Sequence, residues 1–257
     1  MGQTNIEWAT HTINFYDWAC RAVSPGCDNC YARALAQRYG KDFDKVPEWR
    51  ENAVKEWMTV PSGSVVFINS MSDTWHADVS INVIQRLYGH LSARPDVTAL
   101  VLTKRIGRWR KHAADVPVLP NVWAGTSIES PTYAFRARYL TDVPAAGRFV
   151  SAEPLLHDIS TAPALTAAIV DHRIHWVIVG AESGPNRRVF NPDWARNLRD
   201  LCNQNSAAFM FKQGSHFKPG QERVLDGRTY DGVPDFALHA GQSDPEPTPT
   251  TQMRLFS

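Results

Sequence analysis

No stretch of the 257 residues approaches the roughly 18–20 consecutive apolar residues that a membrane span requires. Charge of one sign is not in excess either. Lys and Arg number 27 against 26 Asp and Glu, so the overall field neither demands nor forbids a polyanionic partner. Cysteine is scarce, at four residues, which excludes the disulfide framework of a small secreted domain. The opening run Met1-Gly-Gln-Thr-Asn-Ile-Glu-Trp8 lacks the basic and apolar regions of a signal peptide. Gly2 is not followed by the Ser or Thr that a myristoylation site needs, since position 6 is Ile6. No internal repeat is present. These absences lead to the expectation of a soluble, cytoplasmic protein with no membrane partner.

What cysteine there is, is concentrated. Cys20, Cys27 and Cys30 fall within Cys20-Arg-Ala-Val-Ser-Pro-Gly-Cys27-Asp-Asn-Cys30-Tyr31, with gaps of six and two residues. Three chemistries fit this spacing. A structural zinc site would use Cys27-x-x-Cys30 as a half-site, with His11 as a candidate to complete it. A redox dithiol would use Cys27 and Cys30 and leave Cys20 idle. A 4Fe–4S cluster would take all three thiolates and keep one iron open to a small chelating ligand. Cys202 lies far off on a predicted helix and reads as a small buried apolar residue.

Strands are predicted at His11–Phe15, Ser64–Asn69, Ala99–Thr103, Asn121–Thr126, Arg148–Ala152, His175–Gly180 and Ala207–Lys212. Most are near-continuous apolar runs, as in parallel strands covered on both faces. Helices are predicted at Tyr31–Tyr39, Ile81–Ala93, Thr132–Thr141 and Pro192–Asn203, the last capped by Asn191 with Pro192 at its first position. Repeated strand–helix units imply right-handed crossovers and a parallel sheet. The expected architecture is therefore α/β, an incomplete (β/α) barrel of six to seven parallel strands. One domain is expected over 1–239, with the cysteine loop at 20–30. The Pro-, Thr- and Gln-rich run Ala240–Thr251 marks 240–257 as an extended or disordered tail, and Asp226–Phe236 reads as loop.

In such barrels chemistry gathers at the C-terminal strand ends. Here those ends read Asn69-Ser-Met-Ser-Asp73, Thr103-Lys-Arg105, Gly125-Thr-Ser-Ile-Glu129, Ser151-Ala-Glu-Pro154, Gly180-Ala-Glu-Ser-Gly184 and Lys212-Gln-Gly214. Basic residues cluster at Lys104, Arg105, Arg108, Arg110 and Lys111, and again at Arg187 and Arg188, where plain surface solvation is the simpler reading of any one. Glu153 and Glu182 suit a ribose hydroxyl, an ammonium or a substrate proton, or else brace loops by accepting backbone N–H groups. Gly180-x-x-x-Gly184 is not a phosphate loop, because no Lys-Ser/Thr follows. Among nine tryptophans, Trp123 and Trp176 read as core, while Trp75, beside Asp73 and His76, is the best candidate to stack on a cofactor or base.

Together, Thr4-Asn-Ile-Glu-Trp8, Val23-Ser-Pro-Gly-Cys-Asp-Asn-Cys-Tyr-Ala32, Met71-Ser-Asp73, Leu102-Thr-Lys-Arg105, Ser151-Ala-Glu-Pro-Leu-Leu156, Trp176-Val-Ile-Val-Gly-Ala-Glu-Ser-Gly184 and Phe211-Lys-Gln213 resemble the phage and prophage three-cysteine-motif family, itself of unknown function. That family usually carries Trp-Asn-Pro before its first cysteine, where this chain has Ile13-Asn-Phe-Tyr-Asp-Trp18. The placing of the loop after the first strand is similar to the radical S-adenosylmethionine superfamily. The usual gaps of three and two are absent, however, as is the Gly-Gly-Glu run.

The resemblance implies a 4Fe–4S cluster on Cys20, Cys27 and Cys30, with S-adenosylmethionine as second cofactor. Tyr31, Ser70, Ser72, Asp73, Thr126, Ser127, Glu129, Gly180, Glu182 and Gly184 are then the cofactor-binding candidates. Lys104, Arg105, Glu153, Arg187, Arg188, Lys212 and Gln213 are the candidates for catalysis or substrate binding. The implied activity is radical cleavage of S-adenosylmethionine acting on a nucleic-acid base or nucleotide, as a lyase or base-modifying enzyme. An external flavodoxin- or ferredoxin-like electron donor is the implied partner. The alternative is a zinc- or cluster-stabilised nucleic-acid-binding module without catalysis.

Overall fold

The structure is a computed structural model that describes residues 6–236, so the expected tail at 240–257 lies outside the described residues. Its centre is a single sheet of β1 (His11–Ile13), β2 (Val65–Ile68), β3 (Thr98–Thr103), β4 (Val122–Ser127), β5 (Gly147–Ala152), β6 (Trp176–Gly180) and β7 (Ala208–Gln213). The strands lie in chain order and every neighbouring pair is parallel. The sheet curls into a half-barrel whose two edges are β1 and β7. Helices α1 (Tyr31–Arg38) and α2 (Glu51–Met58) link β1 to β2. One helix then fills each later crossover: α3 (Ile81–Ser92), α4 (Ile106–Lys111), α5 (Phe135–Thr141), α6 (Pro163–Val170) and α7 (Pro192–Gln204).

All seven predicted strands are present. The sequence reading missed α2, α4 and α6, none longer than eight residues. A helix that short shows little of the 3.6-residue period, and α6, Pro-Ala-Leu-Thr-Ala-Ala-Ile-Val, has no polar face to reveal one. The helix predicted at Thr132–Thr141 divides into a 3₁₀ turn at Pro131–Tyr133 and α5. Asp226–Phe236 is not simply loop. Asp226 and Gly227, at φ 53° and 77°, turn a hairpin between β8 (Val224–Leu225) and β9 (Arg228–Thr229). Asp-Gly is a favoured pair for such a two-residue turn, because both positions need positive φ. The chain after it then covers the β7 edge, with Phe211 N–H donating to Tyr230 O at 2.9 Å and Gly232 N–H to Phe209 O at 3.1 Å.

Both faces of the sheet are apolar for different reasons. Val66, Ile68, Val101, Ala124, Val150, Val177 and Val179 pack outward in the cluster shared with the helices. Phe67, Leu100, Trp123, Phe149, Trp176, Ile178 and Met210 form the inner cluster. Trp8 joins them with its ring 4.5 Å from Phe67, and Phe236 lies 4.8 Å from Trp123. Large rings on the inside demand missing side chains opposite. A Cβ on Gly125 would stand 2.2 Å from the Phe149 ring, and one on Gly147 would stand 2.5 Å from Trp123. Gly125→Ala is therefore expected to destabilise by about 1–3 kcal/mol through overpacking. Phe149→Leu in the same chain should recover much of that loss in urea unfolding. Equal losses with and without the second change would sink the packing argument.

Toward the C-terminal strand ends the inward row changes character. Ser127 and Ser151 pair in register across β4 and β5. Beyond them come Glu153, Gly180 and Lys212, where apolar filling gives way to charge.

Candidate functional site

The cysteine loop leaves β1 and lies across these strand ends. Cys20, Cys27 and Cys30 are all free thiols and all half-buried. Cys20 N–H donates to Phe43 O at 2.7 Å, Cys27 ends the 3₁₀ turn Pro25–Cys27, and Cys30 is the N-cap of α1. Neighbouring strands hold the loop down one after another. Ala19 bridges Ser72 beyond β2, and the Tyr31 hydroxyl donates to Ser70 O at 2.7 Å. Beyond β3, Arg105 donates to Arg21 O at 2.8 Å and reaches Cys20 Sγ at 3.6 Å. Beyond β4, Gly26 passes so close over Glu129 that a Cβ would stand 3.3 Å from its carboxyl group. Beyond β6, Asn29 Nδ2 donates to Glu182 at 3.0 Å and Arg188 donates to Pro25 O at 2.8 Å. Among the described residues, no three His, Cys, Asp or Glu side chains are placed to hold one metal ion.

Two carboxylates that the sequence offered as cofactor-binding candidates, Asp73 and Glu182, each accept several hydrogen bonds from within the protein. Asp73 is buried and accepts from Thr103 Oγ1 at 2.7 Å, Trp75 N–H at 2.9 Å, Arg105 at 2.9 Å and Lys104 N–H at 3.3 Å. Glu182 accepts from the Arg188 backbone at 2.8 Å, from its guanidinium, and from Asn29. Burial alone would raise the Glu182 carboxyl, but the Arg188 and Asn29 hydrogen bonds hold it below the usual carboxylate range. Burial likewise opposes the Arg105 charge, yet Asp73 and Cys20 outweigh it and raise the Arg105 pKa. The Cys20 thiol is pushed up to about 11, chiefly by burial and then by the Asp73 charge, with Arg105 pulling the other way.

Other candidates also serve the scaffold. Thr126 Oγ1 donates to Thr103 O at 2.8 Å, tying β4 to β3. Gln213 is buried, donating to Ala181 O at 2.7 Å and accepting Gly220 N–H at 2.8 Å. Gly184, at φ 101°, takes a backbone conformation that glycine favours, and its carbonyl accepts from Arg187 at 3.0 Å. Trp75 does not reach any site. It is fully buried and stacks on Trp109 at 5.1 Å, because the turn after β2 folds it into the core rather than toward the mouth.

Three groups keep capacity at the mouth. Lys212 Nζ donates to Glu153 Oε1, both side chains being half-buried, and Gly180 leaves room for Glu153 across the strand. Glu129 is fully buried; one carboxylate oxygen accepts from Arg136 at 2.9 Å and the other has no partner. Ser72 Oγ is likewise buried without a partner. Asn29 and Arg136 were not singled out in the sequence. Asn29 stands beside Cys30 and its position was the only available signal, whereas nothing local marks Arg136 as the partner of Glu129.

A family profile described as a protein of unknown function, DUF5131, matches residues 3–234. The chain belongs to the DUF5131 family. No curated protein and no solved structure matches it. The DUF5131 match thus spans the half-barrel and the cysteine loop together, and it assigns them no activity. No helix among the described residues of this DUF5131 chain is long and apolar enough to cross a membrane.

Proposed function

We propose that this chain is an iron–sulfur enzyme of the radical S-adenosylmethionine type. It acts on a nucleic-acid base or nucleotide in a reducing, cytoplasmic setting, and an external flavodoxin- or ferredoxin-like protein supplies its electrons. The observation that carries this reading is a loop of three free thiols strapped across the ends of β2, β3, β4 and β6. The donor set suits the group. Three soft thiol ligands share one loop, and a fourth protein ligand is not among them, which suits a cluster that keeps one iron open. When bound there, a 4Fe–4S cluster supplies one-electron reductive cleavage of S-adenosylmethionine to a 5′-deoxyadenosyl radical.

The chain's own residues position and insulate. Cys20, Cys27 and Cys30 would hold the group, and Arg105 sets a positive charge beside Cys20 Sγ. The aromatic layer of Phe67, Trp123, Phe149 and Trp176 closes the interior to water from below. Lys212 donates to Glu153 at the mouth, where it can meet an anionic or carbonyl oxygen of a substrate. Glu129 Oε1 and Ser72 Oγ are buried polar atoms without a hydrogen-bond partner, so each has capacity for one more contact beside the loop.

Anaerobic reconstitution with iron and sulfide tests the reading. The expected outcome is a brown protein with a broad visible absorbance, which releases 5′-deoxyadenosine when reduced with S-adenosylmethionine. A colourless protein that keeps one tightly bound zinc overturns it. A loaded cluster with no 5′-deoxyadenosine leaves the non-catalytic binding module in its place.

A further inference from the structure

A cleft of about 650 Å³ opens beside the cysteine loop, lined by Pro25, Pro131, Tyr133, His157, Asp158 and Trp194 among others. Its rings are presented rather than consumed in the core: His157 is exposed, and Tyr133 and Trp194 are half-buried. They are also fixed in place. Phe190 meets Trp194 edge-on at 6.2 Å and stacks on Phe211 of β7 at 6.1 Å. His157 lies 6.0 Å from the same indole. Arg136 backs Tyr133 with its guanidinium 4.4 Å from the ring centroid, and is itself locked by Glu129 at 2.9 Å and Ser127 O at 2.8 Å. Rigid rings facing an open cleft are what a flat heteroaromatic ligand requires.

A second cleft of about 540 Å³ adjoins it, lined by Arg187, Arg188, Phe190 and Phe211 among others. Arg188 joins the two, because it lines the second cleft and donates to the carbonyl of Pro25, which lines the first. Arg188 is neutralised by Glu182 and Asp28, whereas Arg187 has no carboxylate partner among the described residues. Aromatic faces along one groove, with a free cation along its continuation, match a strand whose bases stack and whose backbone is anionic. A lone nucleotide would fill one cleft and leave the other empty.

We propose that the two clefts together bind single-stranded nucleic acid, with a base stacked at Tyr133, His157 and Trp194 and a backbone phosphate at Arg187. Pro25 borders that base and lies in the same 3₁₀ turn as Cys27, so the strand passes the cysteine loop. The inference deepens the proposed function and rests on its reading of the mouth as the reaction site.

The probes are fluorescein-labelled twelve-residue oligodeoxyuridylate, oligouridylate and a DNA duplex of the same length, followed by anisotropy with the full-length protein. Both single strands should bind more tightly than the duplex, and a clear preference between them names the sugar. Trp194→Ala should weaken binding about 5- to 100-fold, and Trp194→Phe should retain most of it. His157→Ala, at an exposed position, should give a smaller loss and covers the case in which Trp194→Ala fails to fold. Arg187→Gln should flatten the salt dependence of binding. Duplex bound as tightly as single strands, or His157→Ala matching the unaltered protein while Arg187→Gln leaves the salt slope unchanged, overturns the proposal. Cleavage of S-adenosylmethionine by the unaltered, reconstituted protein without nucleic acid is measured separately. Cleavage without strand binding removes only this inference, and strand binding without cleavage removes only the radical reading.

Discussion

Cys27→Ala protein, purified and reconstituted without oxygen, is expected to retain almost no iron or sulfide, while Cys202→Ala protein loads like the unaltered chain. The contrast separates a ligand from a cysteine that is merely present. Cys27 sits half-buried in the turn that Arg188 fastens through Pro25 O, with Ser24 Oγ 3.9 Å from its sulfur. Nothing in the core depends on it. Cys202 is fully buried on α7, packs in the main apolar cluster, and has its thiol pushed up to about 12 by burial alone. Its loss removes one small apolar group, so Cys202→Ala should cost on the order of 1 kcal/mol in unfolding and no iron. A cluster held by three thiolates cannot replace one of them from this loop, since Cys20 and Cys30 are the only other cysteines near it. Metal and sulfide content per chain decides the matter. Cys27→Ala protein with iron equal to the unaltered chain would refute the assignment.

The half-barrel was legible because each strand is a β-rich apolar run that ends in a turn or a polar motif. Val65–Ile68 and Trp176–Gly180 are examples, and covering on both faces leaves no alternation to confuse the reading. The mouth was legible for the same reason: polarity returns where the inner row runs out, at Ser151, Glu153 and Lys212. The division of labour there was not. Asp73, Glu153 and Glu182 look alike in sequence, each closing a strand with a carboxylate. Only the fold shows Asp73 and Glu182 spent on Arg105 and Arg188, with Glu153 left to a half-buried lysine.

The tryptophans make the same point. Trp75 stands beside Asp73 in a polar-looking motif, yet it packs on Trp109, while Trp194, inside an amphipathic helix, lines a cleft. Which face of a helix meets a neighbouring loop depends on crossover lengths, and no local pattern encodes that.

Asp73→Ala should be the most damaging single change outside the core, costing about 3–5 kcal/mol in urea unfolding. The Asp73 and Arg105 side chains are only 8% and 11% exposed, so neither charge is well solvated without the other. Removing the carboxylate leaves Arg105 buried and unpaired, and strips Trp75 N–H and the Thr103 hydroxyl of their shared acceptor. Asp73→Asn keeps an acceptor for those two but sets an amide against the guanidinium, so an intermediate loss is expected. Arg105 couples this pair to the loop, since it also holds Arg21 O and lies against Cys20. Hydrogen exchange across residues 20–30 should therefore quicken in Asp73→Ala protein under conditions where the sheet stays protected. The double variant with Arg105→Ala settles the mechanism. If the pair acts as one unit, adding Arg105→Ala to Asp73→Ala costs little more, a coupling of about 1–3 kcal/mol. Simple additivity of the two losses, with loop exchange unchanged, would show that Asp73 braces the β2–β3 turn alone and that the cysteine loop is anchored by its other contacts at Glu129, Glu182 and Ser70.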